Sequence, residues 1–149
     1  MPRPKKERRI DCPPRWLRYK PVGVSTRLLQ QIELNIDEYE AIRLSDHEGM
    51  DHMKASRNMG ISRSTFTRLI EQAHKKIALF LLHGGELQIK GGVIRFRDNL
   101  YQCEDCGAFL RRPFDEPLYE CSECGSGKLV NYAQHYFASE TDKRAKAEK

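Results

Sequence analysis

Two cysteine pairs, Cys103-Glu-Asp-Cys106-Gly and Cys121-Ser-Glu-Cys124-Gly, carry the plainest chemistry in the chain. In a CxxC knuckle one short turn aims two sulfurs at one metal. The glycine behind it permits a left-handed turn that brings backbone amides near the sulfurs. Fourteen residues lie between the two knuckles. Four thiolates fill a tetrahedral site and leave no position open for water, so Cys103, Cys106, Cys121 and Cys124 are expected to hold a structural metal. Zinc is the expected ion and iron the alternative, since thiolate sites accept either. Two separate redox dithiols would need a thioredoxin-like helix after each CxxC, and neither stretch offers one. Cys12 is left over, with a redox or metal-sensing role and a bystander role both open. The five histidines are scattered and form no ligand motif.

A second set of residues suits a nucleic acid. Ser62, Arg63, Ser64, Thr65, Thr67 and Arg68 follow a Gly60-Ile61 turn. Arginine can donate two hydrogen bonds to guanine, and Ser and Thr reach bases or phosphates. Lys54, Arg57, Lys75 and Lys76 are expected on the flanking phosphates, supplying affinity without sequence reading. The first twenty residues carry eight Lys or Arg, among them Arg3, Lys5, Lys6, Arg8 and Arg9, against Glu7 and Asp11. That segment is +6 in a chain whose net charge is +5, a distribution suited to a polyanion.

These side chains need elements to hold them. Asn35 with Glu38 reads as an N-cap over a helix at 36–47, closed by Gly49. Asp51 caps a short helix at 52–59, which Gly60 ends. Ser62 caps a third helix from 63 to about 82, with Phe66, Leu69, Ile70, Ala73, Ile77, Phe80 and Leu81 at helical spacing. Short helix, glycine turn and second helix make a helix-turn-helix pattern. Glu86–Lys90 and Val93–Phe96 flank Gly91-Gly92 and predict a β-hairpin. Phe109, Leu110, Phe114, Leu118, Tyr119 and Leu129 are expected to form the small core around the cysteines.

The stretch 37–79 resembles the fourth conserved region of the main sigma-factor family. The resemblance rests on Asp37-Glu38, Arg43-Leu44, Glu48-Gly49, Gly60-Ile61-Ser62 and Thr65. MPRPKK with Arg8-Arg9, DEYEAIRL followed by EGM, MGISRSTF and the late glycine pair resemble a family of small prokaryotic proteins described only as predicted DNA-binding. That likeness covers about residues 1–92. It implies a sigma-like helix-turn-helix. Met53 and Lys54 stand where sigma proteins carry acids, so a stand-alone regulator is implied rather than a sigma factor. The cysteine spacing is similar to that of a zinc ribbon, and its CxxCG knuckles resemble those of rubredoxin.

The expected fold is therefore mainly α. A three-helix helix-turn-helix domain is followed by a small hairpin and a zinc-ribbon or rubredoxin-like module. Its parts are a basic Pro-rich arm at 1–27, the helical domain at 28–84, the hairpin connector at 85–99, the four-cysteine ribbon at 100–137 and a charged tail at 138–149. The expected function is DNA binding and transcription regulation, with double-stranded DNA as partner. A homodimer or a contact with the transcription machinery is a further partner left open. A redox or metal sensor and an RNA-associated zinc-ribbon protein are the alternatives. No nucleophile–base set, phosphate loop or open metal site points to an enzyme. No apolar run approaches the roughly 18 residues of a membrane span. MPRPKKERR is not followed by the apolar run of a secretory signal, so a reducing cytoplasm is the expected location.

Overall fold

The computed structural model describes residues 6–138. The chain divides into two compact units, Met1–Ile10 with Trp16–Arg95, and Asp11–Arg15 with Phe96–Lys149.

In the first unit the capping residues set the helices. Glu38 Oε2 accepts the Asn35 amide at 2.9 Å at the start of α1 (Ile36–Ile42). A π-helical turn at Arg43–His47 follows, and the chain reverses at Gly49, φ +70. Asp51 Oδ1 accepts the Lys54 amide to open α2 (His52–Met59). Gly60 ends α2 at φ +69, and Ser62 Oγ accepts the Thr65 amide to open α3 (Arg63–His83). Ala41, Leu44, Ala55, Met59, Phe66, Leu69, Ile70 and Ala73 are buried where the helices meet.

Strands complete that core. Residues of β3 (Gln31–Leu34) alternate out and in, and β4 (Glu86–Ile89) is buried at all four positions. β4 runs parallel to β3 and antiparallel to β2 (Arg18–Tyr19), giving the order β2-β4-β3. A parallel pair needs a long crossover, and the three helices are that crossover. Ile32, Leu34, Leu87 and Ile89 bury their side chains in this unit. β1 (Arg8–Ile10) pairs with β5 (Ile94–Phe96), and the Arg8 amide donates to Val93 O at 3.0 Å.

The expectation of a mainly α chain is thereby overturned: 38% of the described residues are helical and 23% lie in strands of three sheets. The expected hairpin across Gly91-Gly92 does not form either. Its two strands have different partners, β4 between β2 and β3, and β5 with β1. A hairpin arm normally leaves one face to solvent, whereas β4 is buried on both faces and takes a central position. Both glycines instead take a positive φ, +80 at Gly91 and +99 at Gly92, which other residues rarely adopt. A Cβ on Gly91 would lie 3.2 Å from Glu33 Oε1, and one on Gly92 would lie 3.6 Å from Asp37 Oδ1. The basic segment is not a bare arm over its described residues. It holds β1, β2 and a short 3-10 turn at Thr26–Leu28, and Ile10, Pro13 and Pro14 are buried.

The second unit is built on β6 (Asp98–Cys103). It is the centre of a three-stranded antiparallel sheet with β7 (Phe109–Pro113) on one side and β8 (Leu129–Asn131) on the other. Residues 132–138 are helical. The core differs from the expected one. Phe109, Phe114 and Tyr119 are exposed, while Phe96, Tyr101, Tyr132, Ala133 and Tyr136 are buried. Phe96 meets Tyr136 edge to face with centroids 5.3 Å apart. Phe109 lies instead under the Arg15 guanidinium, 3.6 Å from the ring centre. Buried Asn99 ties strand to helix. Its Nδ2 donates to Asn131 Oδ1 at 3.0 Å, and its Oδ1 accepts the Ala133 amide at 3.2 Å.

Candidate functional site

The four cysteines of the two knuckles meet in the second unit. Cys103 is the last residue of β6, and the two knuckles repeat one backbone pattern. The Gly107 amide donates to Cys103 O at 2.9 Å, and the Gly125 amide to Cys121 O at 2.8 Å. Both glycines lie near φ +77 and +76, a region that favours glycine. The Cys103 amide donates to Ala108 O and the Cys121 amide to Ser126 O, which closes each loop onto its own first cysteine. The first sulfur of each pair is buried and the second exposed.

All four Sγ atoms lie within 4.8 Å of one another. Cys103 and Cys124 are 3.5 Å apart, and Cys106 and Cys121 are 3.6 Å apart. Metal–sulfur bonds of about 2.3 Å in a tetrahedron put the sulfurs about 3.8 Å apart, so the spacing fits a single metal ion. Backbone amides support the charge: Cys106 N donates to Cys103 Sγ at 3.5 Å and Glu123 N to Cys121 Sγ at 3.4 Å.

Crowding four thiols sorts their protons. Cys103 is lowered to about 7, first by the Cys106 amide on its sulfur, against burial. Cys124 is raised to about 12. The Ser126 amide lowers it, but the Cys103 sulfur, burial and the other thiols outweigh that amide. Cys106 is raised as well, its Ala108 amide outweighed by burial and the Cys121 and Cys103 sulfurs. Cys12 is half-buried and stands outside the cluster.

In the first unit the start of α3 presents Ser62, Arg63, Ser64 and Arg68 to solvent, with Thr65 and Thr67 half-buried. Lys54 and Arg57 are exposed on α2, and Asp51, His52, Met53, Lys54, Arg57 and Arg63 line an open concavity. Arg9 reaches this surface: it donates to Arg57 O at 3.4 Å, and its Nε would lie 3.1 Å from a Cβ on Gly60. Lys75 and Lys6 are exposed.

Two expected phosphate contacts are otherwise engaged. Lys76 Nζ pairs with buried Glu38 at 2.7 Å, and Arg8 pairs with buried Asp37 at 2.5 Å. Both cations answer carboxylates that α1 has taken out of water, and an unpaired buried charge is costly. Arg3 and Lys5 lie outside the described residues, as does nearly all of the charged tail. His52, assigned no role from sequence, proves to be a link between helices. Its Nδ1 is 2.9 Å from Thr67 Oγ1 and its ring stacks edge-on against Phe66. No spacing rule flags such a contact, because it joins two helices across a turn.

Among the described residues no helix is long and apolar enough to cross a membrane. No solved structure matches the chain. A UPF0251 protein of Chloroherpeton thalassium is 47% identical over 107 residues, 72% of this chain and 71% of that protein. A UPF0251 protein of Halothermothrix orenii is 39% identical over 114 residues, 76% of this chain and 84% of that protein. Another, of Pelotomaculum thermopropionicum, is 39% identical over 107 residues, 72% of this chain and 81% of that protein. The family model described as "Protein of unknown function DUF134" matches residues 1–97, a range that takes in the first unit and stops short of Cys103. By that match and these identities, the chain belongs to the DUF134 family, whose curated relatives here are UPF0251 proteins.

Proposed function

We propose that the first unit binds double-stranded DNA and regulates transcription, with α2, the Gly60 turn and α3 acting as a helix-turn-helix. One observation carries the reading: the first turns of α3 leave Arg63, Ser64 and Arg68 exposed, while Phe66, Leu69 and Ile70 anchor the opposite face. A helix held from behind with its N-terminal polar face free suits the major groove. Lys54 and Arg57 on α2, together with Arg9, then meet the flanking phosphates and give a salt-dependent, sequence-independent affinity. Thr67 is held by His52, so it acts as a spacer at the groove floor rather than as a free donor.

The second unit holds zinc in this reading. A closed four-thiolate set gives a tetrahedral cross-link and no position for a reacting water. A purified protein that is red, with iron charge-transfer absorption, would overturn zinc.

The test is selection of bound sequences from a random DNA pool with RNA as competitor. A shared motif that resists RNA competition is expected. Preferential capture by RNA, or no enriched sequence, overturns the reading. Arg68→Ala should cost about 1–3 kcal/mol on the selected site and much less on random DNA, if Arg68 is bidentate to guanine. Equal losses on both would remove Arg68 from base reading.

A further inference from the structure

The two ring nitrogens of His52 have different surroundings. Nδ1 lies 2.9 Å from Thr67 Oγ1, and the ring meets Phe66 edge to face with centroids 5.2 Å apart. Thr67 Oγ1 in turn donates to Arg63 O at 3.1 Å. A hydroxyl has one proton, and that bond uses it, so toward His52 the Thr67 oxygen can only accept. Nδ1 must therefore carry a proton. The neutral ring then holds its lone pair on Nε2, which has no partner and is open to solvent. Nε2 is the nitrogen left to titrate and to meet a ligand.

We infer, on the DNA reading of the first unit, that His52 binds a DNA phosphate through Nε2 as the imidazolium, so that DNA binding takes up one proton. A lone pair on Nε2 repels a phosphate oxygen, whereas a protonated Nε2 donates to it in a charge-assisted bond. The neighbourhood fits an anion. His52 shares its concavity with Lys54, Arg57 and Arg63, against one acid, Asp51. Asp51 Oδ1 already accepts the Lys54 amide at 2.8 Å. His52 and Met53 are the first two residues of α2, so the unbonded amides and the positive end of the helix point the same way.

The charged groups around the ring leave that role to the ligand. α2 packs against α3, β1 and the π-helical turn. α3 brings Arg63, with Arg68 and Glu71 exposed on the turns beside Thr67. β1 brings Arg9, which donates to Arg57 O at 3.4 Å. The π-helical turn brings Arg43, Asp46 and His47. Arg43 pairs with Glu40 and Glu48, and Asp46 pairs with His74. Among the described residues no carboxylate bonds the His52 ring, so a phosphate is the anion that would stabilise its charge. Nδ1 keeps its proton in both states of the ring. Titration therefore changes the charge of the concavity and leaves Thr67 in place.

The affinity of the full chain for the selected DNA site, measured from about pH 5.5 to about pH 8, spans the ordinary range of histidine. One proton taken up gives tighter binding at low pH, with a slope of up to about tenfold per unit. The native chain should bind at least about fivefold tighter at pH 6 than at pH 8. His52→Gln puts a neutral amide near the position of Nε2, and His52→Asn keeps a donor for Thr67 with nothing at Nε2. Both variants should bind less than about twofold tighter at pH 6 than at pH 8, with the native circular dichroism spectrum. Nitrogen NMR of the chain without DNA reads the tautomer directly, and a neutral His52 protonated on Nε2 overturns the inference. Variants as pH-dependent as the native chain, or a native affinity flat with pH, overturn it too and leave the DNA reading standing. A chain that binds no DNA at any of these pH values overturns the DNA reading and the inference with it.

Discussion

Lys75 and Lys76 are neighbours in the chain and have different jobs. Lys75 is exposed, and Lys76 reaches buried Glu38 at 2.7 Å. Removing Lys76 leaves a carboxylate out of water without its counter-charge. Lys76→Ala should therefore lower the stability of the first unit by about 2–4 kcal/mol, less than for a fully buried pair because Lys76 keeps partial access to solvent. Lys75→Ala should leave stability within about 0.5 kcal/mol. If Lys75 meets a phosphate, its loss should reduce the salt slope of DNA binding by about 1. Urea denaturation and binding at several salt concentrations read the two effects separately. Equal destabilisation by both substitutions would contradict the assignment. The same logic separates Arg8, committed to Asp37, from Arg9, which lies over the Gly60 turn.

Helix starts were legible because a cap is a local event. Asn35, Asp51 and Ser62 announce α1, α2 and α3 from within four residues of the groups they satisfy. The CxxCG knuckles were legible for the same reason. Strand partners were not, because they are chosen across the chain: Ile32 pairs with Leu87, and β1 with β5. Gly91-Gly92 looks like a hairpin turn, yet its two positive-φ residues join strands that have different partners. In α3 the helical period continues through Leu81, but nothing within its unit covers that side chain, and periodicity alone does not reveal where a core ends. The cap of α3 also permits a test of that element. Ser62→Ala deletes the acceptor for the Thr65 amide and should cost about 1 kcal/mol, fraying the turn that carries Arg63 and Ser64. Ser62→Asp should restore stability, since aspartate also caps, yet weaken DNA binding by placing an anion against phosphate. If the aspartate variant binds DNA as the native chain does, the start of α3 is not the DNA face.

The two units draw on different sources of stability, and this shapes the response of the whole molecule to metal removal. The first has a contiguous core from Ile32 to Ile89, whereas the second buries few large side chains and is closed by the cysteines. Small units of this kind lean on a cross-link. Metal uptake must displace protons, chiefly those of Cys106 and Cys124, whose thiols are raised, while Cys103, near 7, is already partly ionised at neutral pH. Protons compete with the metal for the same sulfurs, so apparent affinity must rise with pH, by about tenfold per unit for each proton released. A chelator titration at pH 6 and at pH 8 should strip the metal more readily at the lower pH. An affinity flat over that range would mean that the sulfurs bind already deprotonated. Stripping should abolish the near-ultraviolet signal of the packed tyrosines Tyr101, Tyr132 and Tyr136 and leave the helical signal of the first unit. If the cross-link is only structural, the stripped protein should retain its affinity for the selected DNA site. Loss of that affinity on metal removal, with the helical signal intact, would make the four-thiol site a sensor coupled to the first unit.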